Sequence, residues 1–103
     1  MNITHHFVNV TEWLQETILN ICNEHITKMS TSYLKPFLAK EDAVNSLNIH
    51  FEKNKKELYE GRFEFLLDGE REKIIYTNDT PFVEPLDVVN HAFKRLKEQL
   101  AKK

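Results

Sequence analysis

Between Leu47 and Leu67 the apolar residues of this chain fall on every second position. Leu47, Ile49 and Phe51 alternate with Asn48, His50 and Glu52, then Tyr59, Gly61, Phe63, Phe65 and Leu67 alternate with Glu60, Arg62, Glu64 and Leu66. A period of two is the side-chain period of a strand with one face buried, so two half-buried strands stand at the centre of the chain. Leu67-Asp68-Gly69-Glu70 follows, and an Asp-Gly pair tolerates the positive φ of a tight turn. The next run, Lys73-Ile74-Ile75-Tyr76-Thr77, then reads as the returning strand of a β-hairpin.

On both sides of this block the period changes to that of a helix. Leu14, Ile18, Ile21, Cys22, His25 and Met29 recur at three- and four-residue spacing behind Thr11, a good N-cap. Leu86, Val89, Phe93, Leu96 and Leu100 do the same behind Glu84-Pro85, where Pro is tolerated in a first turn and an acid favours the positive dipole end. Asn2-Ile3-Thr4 and Val8-Asn9-Val10 read as a short first strand, or as two extended pieces, ending at Thr11. Residues 30–45 mix a turn cluster, an apolar patch around Pro36 and charges, and read as a connection with room for a short helix. The order is β-α-β-β-β-α in a single domain spanning residues 1–103. Two amphipathic helices on one face of a four-stranded, mostly antiparallel sheet form an α+β two-layer sandwich.

Composition bounds the chemistry. Cys22 is the single cysteine, so neither a disulfide framework nor a CxxC metal or redox site forms within the chain, and a cytoplasmic setting is expected. The N-terminus lacks a basic stretch followed by an apolar one, and no apolar run approaches the ~20 residues that span a bilayer. His5, His6, His25, His50 and His91 are scattered over different elements without HExxH or i,i+4 spacing, so no metal is expected. With two glycines the chain cannot build a phosphate cradle, and it carries no G-x-S-x-G or Walker loop. The expectation is a non-enzymatic protein without cofactor or small-molecule substrate.

Charge is unevenly distributed. The whole chain is −2, yet the stretch from Pro85 to Lys103 holds Lys94, Arg95, Lys97, Lys102 and Lys103 against Asp87 and Glu98, which makes it +3 and the remainder −5. Lys53, Lys55 and Lys56 add a second basic group between the first two central strands. Such residues form either a solvated face or a surface that grips nucleic-acid phosphates by displacing counterions, and charge by itself does not separate the two. Phe51, Phe63 and Phe65 fall on the expected core face, which disfavours stacking of single-stranded bases and favours recognition of folded RNA by shape and backbone.

Both ends of the chain resemble a known family. Asn2-Ile3-Thr4, Val8, Val10-Thr11-Glu12, Leu14 and Glu16 are similar to the opening strand and helix start of the ribosome hibernation promoting factor family, also called sigma-54 modulation protein or ribosome-associated inhibitor. Glu84-Pro85-Leu86-Asp87-Val88-Val89-Asn90, Ala92-Phe93, Leu96 and Gln99-Leu100 resemble the last helix of the same family in its short form. The resemblance implies a fold like that of double-stranded RNA-binding domains. It also implies binding in the mRNA-tRNA channel of the small ribosomal subunit, which blocks translation and preserves idle ribosomes. The rRNA-facing residues would be Lys94, Arg95, Lys97 and Lys102 with the turn lysines Lys53, Lys55 and Lys56, and off the ribosome the chain is expected to be a monomer. An alternative is a protein-interaction regulator on the same fold that has lost rRNA binding, motivated by a first helix whose one lysine or arginine is Lys28.

Overall fold

The computed structural model describes residues 1–39, 44–68 and 73–102. Its elements are β1 (Asn2–Val8), α1 (Glu12–Met29), α2 (Lys35–Leu38), β2 (Ser46–Lys53), β3 (Tyr59–Leu66), β4 (Ile74–Thr77) and α3 (Pro85–Ala101). The strands form one mixed sheet in the order β1-β2-β3-β4. β1 runs parallel to β2, from Asn2 beside Ser46 to Val8 beside Glu52, while β2–β3 and β3–β4 are antiparallel. Parallel neighbours need a crossover, and α1 supplies it. The fold is therefore α+β, with α1 and α3 covering one face of the sheet.

The alternation in the sequence becomes the core. Leu47, Ile49, Phe51, Phe63, Phe65 and Leu67 turn one way and are buried, as are Ile18, Cys22 and Met29 of α1 and Val88, Val89, Ala92, Phe93 and Leu96 of α3. Each large side chain so buried contributes roughly 1.5–3 kcal/mol. Gly61 leaves room for α3: a Cβ built there would stand 2.6 Å from Val88 Cγ1. Farther along, the rings of Phe65 and Phe93 meet edge-to-face at 5.4 Å. α3 thus runs along β3 in the same direction. Its entry is fixed by Phe82, whose backbone exchanges hydrogen bonds of 2.9 and 2.7 Å with Tyr59.

The structure differs from expectation at the end of the first strand, whereas the connection does hold a short helix and two of the three strand pairings are antiparallel. The first strand is one unbroken piece that stops at Val8, because Asn9 adopts φ 57°, the left-handed region that Asn tolerates and a strand cannot continue through. Thr11 then caps α1, its hydroxyl accepting from the Leu14 N–H at 3.4 Å. The connection contains α2, with Pro36 in its first turn. The sheet is mixed, since the first strand pairs in parallel with the second, a consequence of chain topology that no local pattern encodes. Gly69 of the expected Asp68-Gly69 turn lies outside the described residues, but the antiparallel pairing that the turn was expected to join is present from Phe65–Ile74 to Arg62–Thr77.

Candidate nucleic-acid interface

α3 buries one stripe and exposes the rest, so its cations are sorted by helical phase. On one flank, Asn90 Oδ1 meets His25 Nε2 of α1 at 3.0 Å, and the His25 ring stacks on Phe93 with centroids 4.6 Å apart and planes 8° from parallel. An amide oxygen only accepts, so the imidazole carries its proton on Nε2. These contacts fix the seam between α1 and α3. Lys94 and Lys97 follow Asn90 at helical spacing on that flank, Lys94 exposed and Lys97 half-buried. Lys28 lies one turn beyond His25 on the exposed surface of α1, where it lines a shallow recess with Asn20, Asn23, Glu24 and Thr27.

Arg95 lies on the opposite flank, over β4, and lines a recess of about 410 Å³ with Ile75, Tyr76, Thr77 and Asp79. There the Tyr76 hydroxyl titrates above its ordinary range, chiefly through burial and secondarily through the Asp79 carboxylate. His91, on the same flank, packs its ring against Phe82 at 5.1 Å. Lys102 is the exposed C-cap of α3.

The turn lysines are held by a different device. Asn54 Oδ1 accepts from the N–H groups of Lys56 and Leu58 at 2.9 and 3.1 Å, and Asn54 N–H donates to the Leu58 carbonyl at 2.8 Å. Glu57 completes the turn with φ 61°. Lys55 and Lys56 are thereby presented to solvent, while Lys53, opposite Tyr59, is half-buried at the end of β2. Since Phe82 pairs with Tyr59, this turn stands at the end of the sheet where α3 begins. Lys94 lies about 14 Å along the helix from Pro85 and Lys102 about 25 Å, both at the other end.

The seven cations picked from the sequence therefore do not form one patch. Lys94 and Lys97 share the seam, Arg95 faces β4, Lys102 sits on the helix end, and Lys53, Lys55 and Lys56 occupy the far end of the molecule. Among the described residues none of the seven forms an ion pair; those present join Glu64 to Arg62 at 2.8 Å and to Lys73 at 3.4 Å. The Arg62 hydrogen bond holds the Glu64 carboxyl below its ordinary range. Lys28 belongs with Lys94 and Lys97, and the sequence did not mark it as a site residue because its relation to α3 depends on the packing of the two helices. The signal available was the coincidence of a basic last turn in α1 with a basic second half of α3.

The open face of the sheet is mostly polar, with Leu66 and Ile75 exposed on it. Thr4 donates its hydroxyl to Asn48 Oδ1, and His6 stacks on His50 at 5.2 Å. Its described positions carry no Phe, Tyr or Trp, the three Phe of the central strands being buried. No group of three or more His, Cys, Asp or Glu among the described residues is arranged to hold a metal ion, and no helix among them is long and apolar enough to cross a membrane.

What the fold defines is an α+β two-layer domain whose helical layer presents Lys28, Lys94 and Arg95 to solvent, none of them in an ion pair among the described residues. No protein-family model matches the chain, and no curated protein is significantly similar to it.

Proposed function

We propose that this chain is a ribosome-associated translation inhibitor of the hibernation type, a double-stranded RNA-binding-domain-like protein. In this reading it sits in the mRNA-tRNA channel of the small subunit, grips folded rRNA through the α1–α3 seam and acts by occupation. The observation that carries it is the His25 contact with Asn90 and Phe93 that joins α1 to α3, with Lys28 one turn on from His25 and Lys94 and Lys97 one and two turns on from Asn90 by helical phase, none of the three in an ion pair among the described residues. Cations in such an array contact backbone phosphates and release counterions, and the polar neighbours Asn90 and His25 add hydrogen-bonding groups at the same height. The likeness of both chain ends to the hibernation factors supports the same reading. The absence of Phe, Tyr and Trp from the described open sheet face, where the stacked pair His6 and His50 are the rings present, argues against capture of single strands there.

Co-sedimentation with purified small subunits tests it. Binding is expected at low salt, weakening about 10- to 100-fold between 50 and 200 mM monovalent salt, as suits three or four phosphate contacts. The triple change Lys28→Glu, Lys94→Glu and Lys97→Glu is expected to abolish co-sedimentation while the thermal midpoint stays nearly constant, because exposed charges rarely contribute more than about 1 kcal/mol each. Failure of the unaltered protein to co-migrate at low salt would overturn the reading. The second reading, a protein-interaction regulator, is favoured by the acids Glu12, Glu57, Glu84 and Asp87 at the end where both long helices begin; it predicts capture of a protein from ribosome-depleted extract that survives the triple change.

A further inference from the structure

The sheet has two edges of unequal kind. β4 is four residues long, preceded by Lys73 and overhung by the Arg95 flank of α3. β1 is seven residues long, Asn2-Ile3-Thr4-His5-His6-Phe7-Val8, without lysine, arginine, carboxylate, proline or bulge. Those are the devices by which natural proteins blunt an edge against pairing.

The backbone of β1 points in a definite way. Asn2 N–H donates to the Asn45 carbonyl at 2.9 Å, so Asn2, Thr4, His6 and Val8 turn their amides and carbonyls toward β2. Alternation then sends the N–H and C=O groups of Ile3, His5 and Phe7 outward, where among the described residues they meet no strand. The apolar interior also reaches solvent on this side. Ile3 and Phe7 are half-buried, and so are Leu19 and Ile26 of α1. His25 marks the α3 side of α1, and Leu19 and Ile26 lie on the other flank by helical phase, over β1.

We propose that a second copy of this chain docks on the β1 edge, the two β1 strands pairing antiparallel about a two-fold axis at His5. In that register Ile3 of one copy stands opposite Phe7 of the other, so the half-buried apolar residues cover each other, and Thr4 stands opposite His6. Ile3, His5 and Phe7 exchange both backbone hydrogen bonds with their mates, and the sheet continues through both copies with the helices on one face. Self-pairing sets no lysine, arginine or carboxylate of one β1 beside that of the other, since the strand has none. The two α1 helices run antiparallel, which sets their dipoles favourably, the Glu12 end of each beside the C-terminal end of the other. A monomer, the expectation from the sequence, leaves all these groups open. The interface is at the small end of the specific range, roughly 1,000 Å², and a dissociation constant on the order of 10 to 100 μM is expected. This interface lies on the flank of α1 away from the α3 seam, and the inference does not rest on the ribosomal reading.

Sedimentation equilibrium with amide hydrogen exchange, on the chain from about 1 μM to about 1 mM, decides it. Dimer is expected to grow with concentration, and the amides of Ile3, His5 and Phe7 to gain protection in step, while those of Thr4 and His6 are protected throughout. Two substitutions act on the interface without touching the β1–β2 ladder. His5→Pro removes an outward N–H, a position where an edge strand accepts proline. His5→Lys sets two ammonium groups at the two-fold axis on an exposed side chain. Each is expected to weaken association at least tenfold, and the lysine variant keeps the measurement valid if proline unfolds the strand. A chain that stays monomeric over the whole range overturns the proposal, as does a dimer that persists undiminished in His5→Lys.

Discussion

Asn45 is 6% exposed and holds three segments at once. Its Nδ2 donates to the Phe37 carbonyl at 3.1 Å, its Oδ1 accepts from Asp68 N–H at 3.0 Å, and its own carbonyl accepts from Asn2 N–H at 2.9 Å. Asn45→Ala keeps the backbone bond and strands the other two partners, so urea denaturation is expected to show a loss of about 1–3 kcal/mol. Glu57 is a different single-residue case. A glutamate at φ 61° is strained, and Glu57→Gly relieves it, with an expected gain of about 0.5–1 kcal/mol in the same assay and Lys55 and Lys56 still presented by the Asn54 turn. Cys22, buried among apolar side chains, has its thiol pushed up from 9.0 to about 12 by burial. The thiol is therefore protonated at neutral pH, and iodoacetamide is expected to leave it unmodified until denaturant is added. The linkage has a sign as well. The unfolded chain releases this proton near pH 9 and the folded one only near 12, so the contribution of Cys22 to stability is complete below pH 9 and declines as pH rises from 9 to 12.

At the scale of the element, legibility followed the density of the periodic signal. α1 and α3 span the stretches whose apolar residues repeat every three or four positions, because many residues vote for one face and caps stand at Thr11 and Glu84. α2 is legible only as room for a short helix, since four residues hold barely one turn and show no period. Asn45 gives no signal because its partners Phe37, Asp68 and Asn2 are spread over three separate segments of the chain. Gly61 read as an ordinary member of a half-buried strand, and only the approach of Val88 explains why it is glycine. That approach gives the element-scale test. Gly61→Ala drives a methyl into Val88 Cγ1 with Phe63 and Phe51 close behind, so α3 must lift from β3. Overpacking of this kind costs roughly 1–3 kcal/mol, and thermal unfolding is expected to show it. Val88→Ala in the same chain frees the space and is expected to return part of the loss, which a purely conformational cost of alanine in a strand would not do.

Across the whole molecule, charge is arranged by chain direction. α1 and α3 both begin at the end of the sheet that carries the Asn54–Leu58 turn, and their first turns hold Glu12 and Asp87 with Glu84 as the α3 cap, as helix dipoles favour. Lys28, Lys94, Lys97 and Lys102 lie toward the other end. Sequence order shows that the last helix is basic, but it does not show that Lys53, Lys55 and Lys56 fall at the acidic end, because that depends on which way α3 runs along β3. The consequence separates the two basic groups. At 0.1 M salt the Debye length is about 10 Å, shorter than the roughly 14 Å of helix between Pro85 and Lys94, so charges on the turn are largely screened from a ligand on the seam. Lys55→Glu with Lys56→Glu is therefore expected to change the affinity for small subunits by less than about threefold at that salt. Lys94→Glu with Lys97→Glu is expected to lower it by at least tenfold and to flatten the salt dependence by about two contacts. Equal losses from the two double variants would mean that the nucleic acid wraps the molecule from end to end, and the seam would no longer be the contact that decides binding.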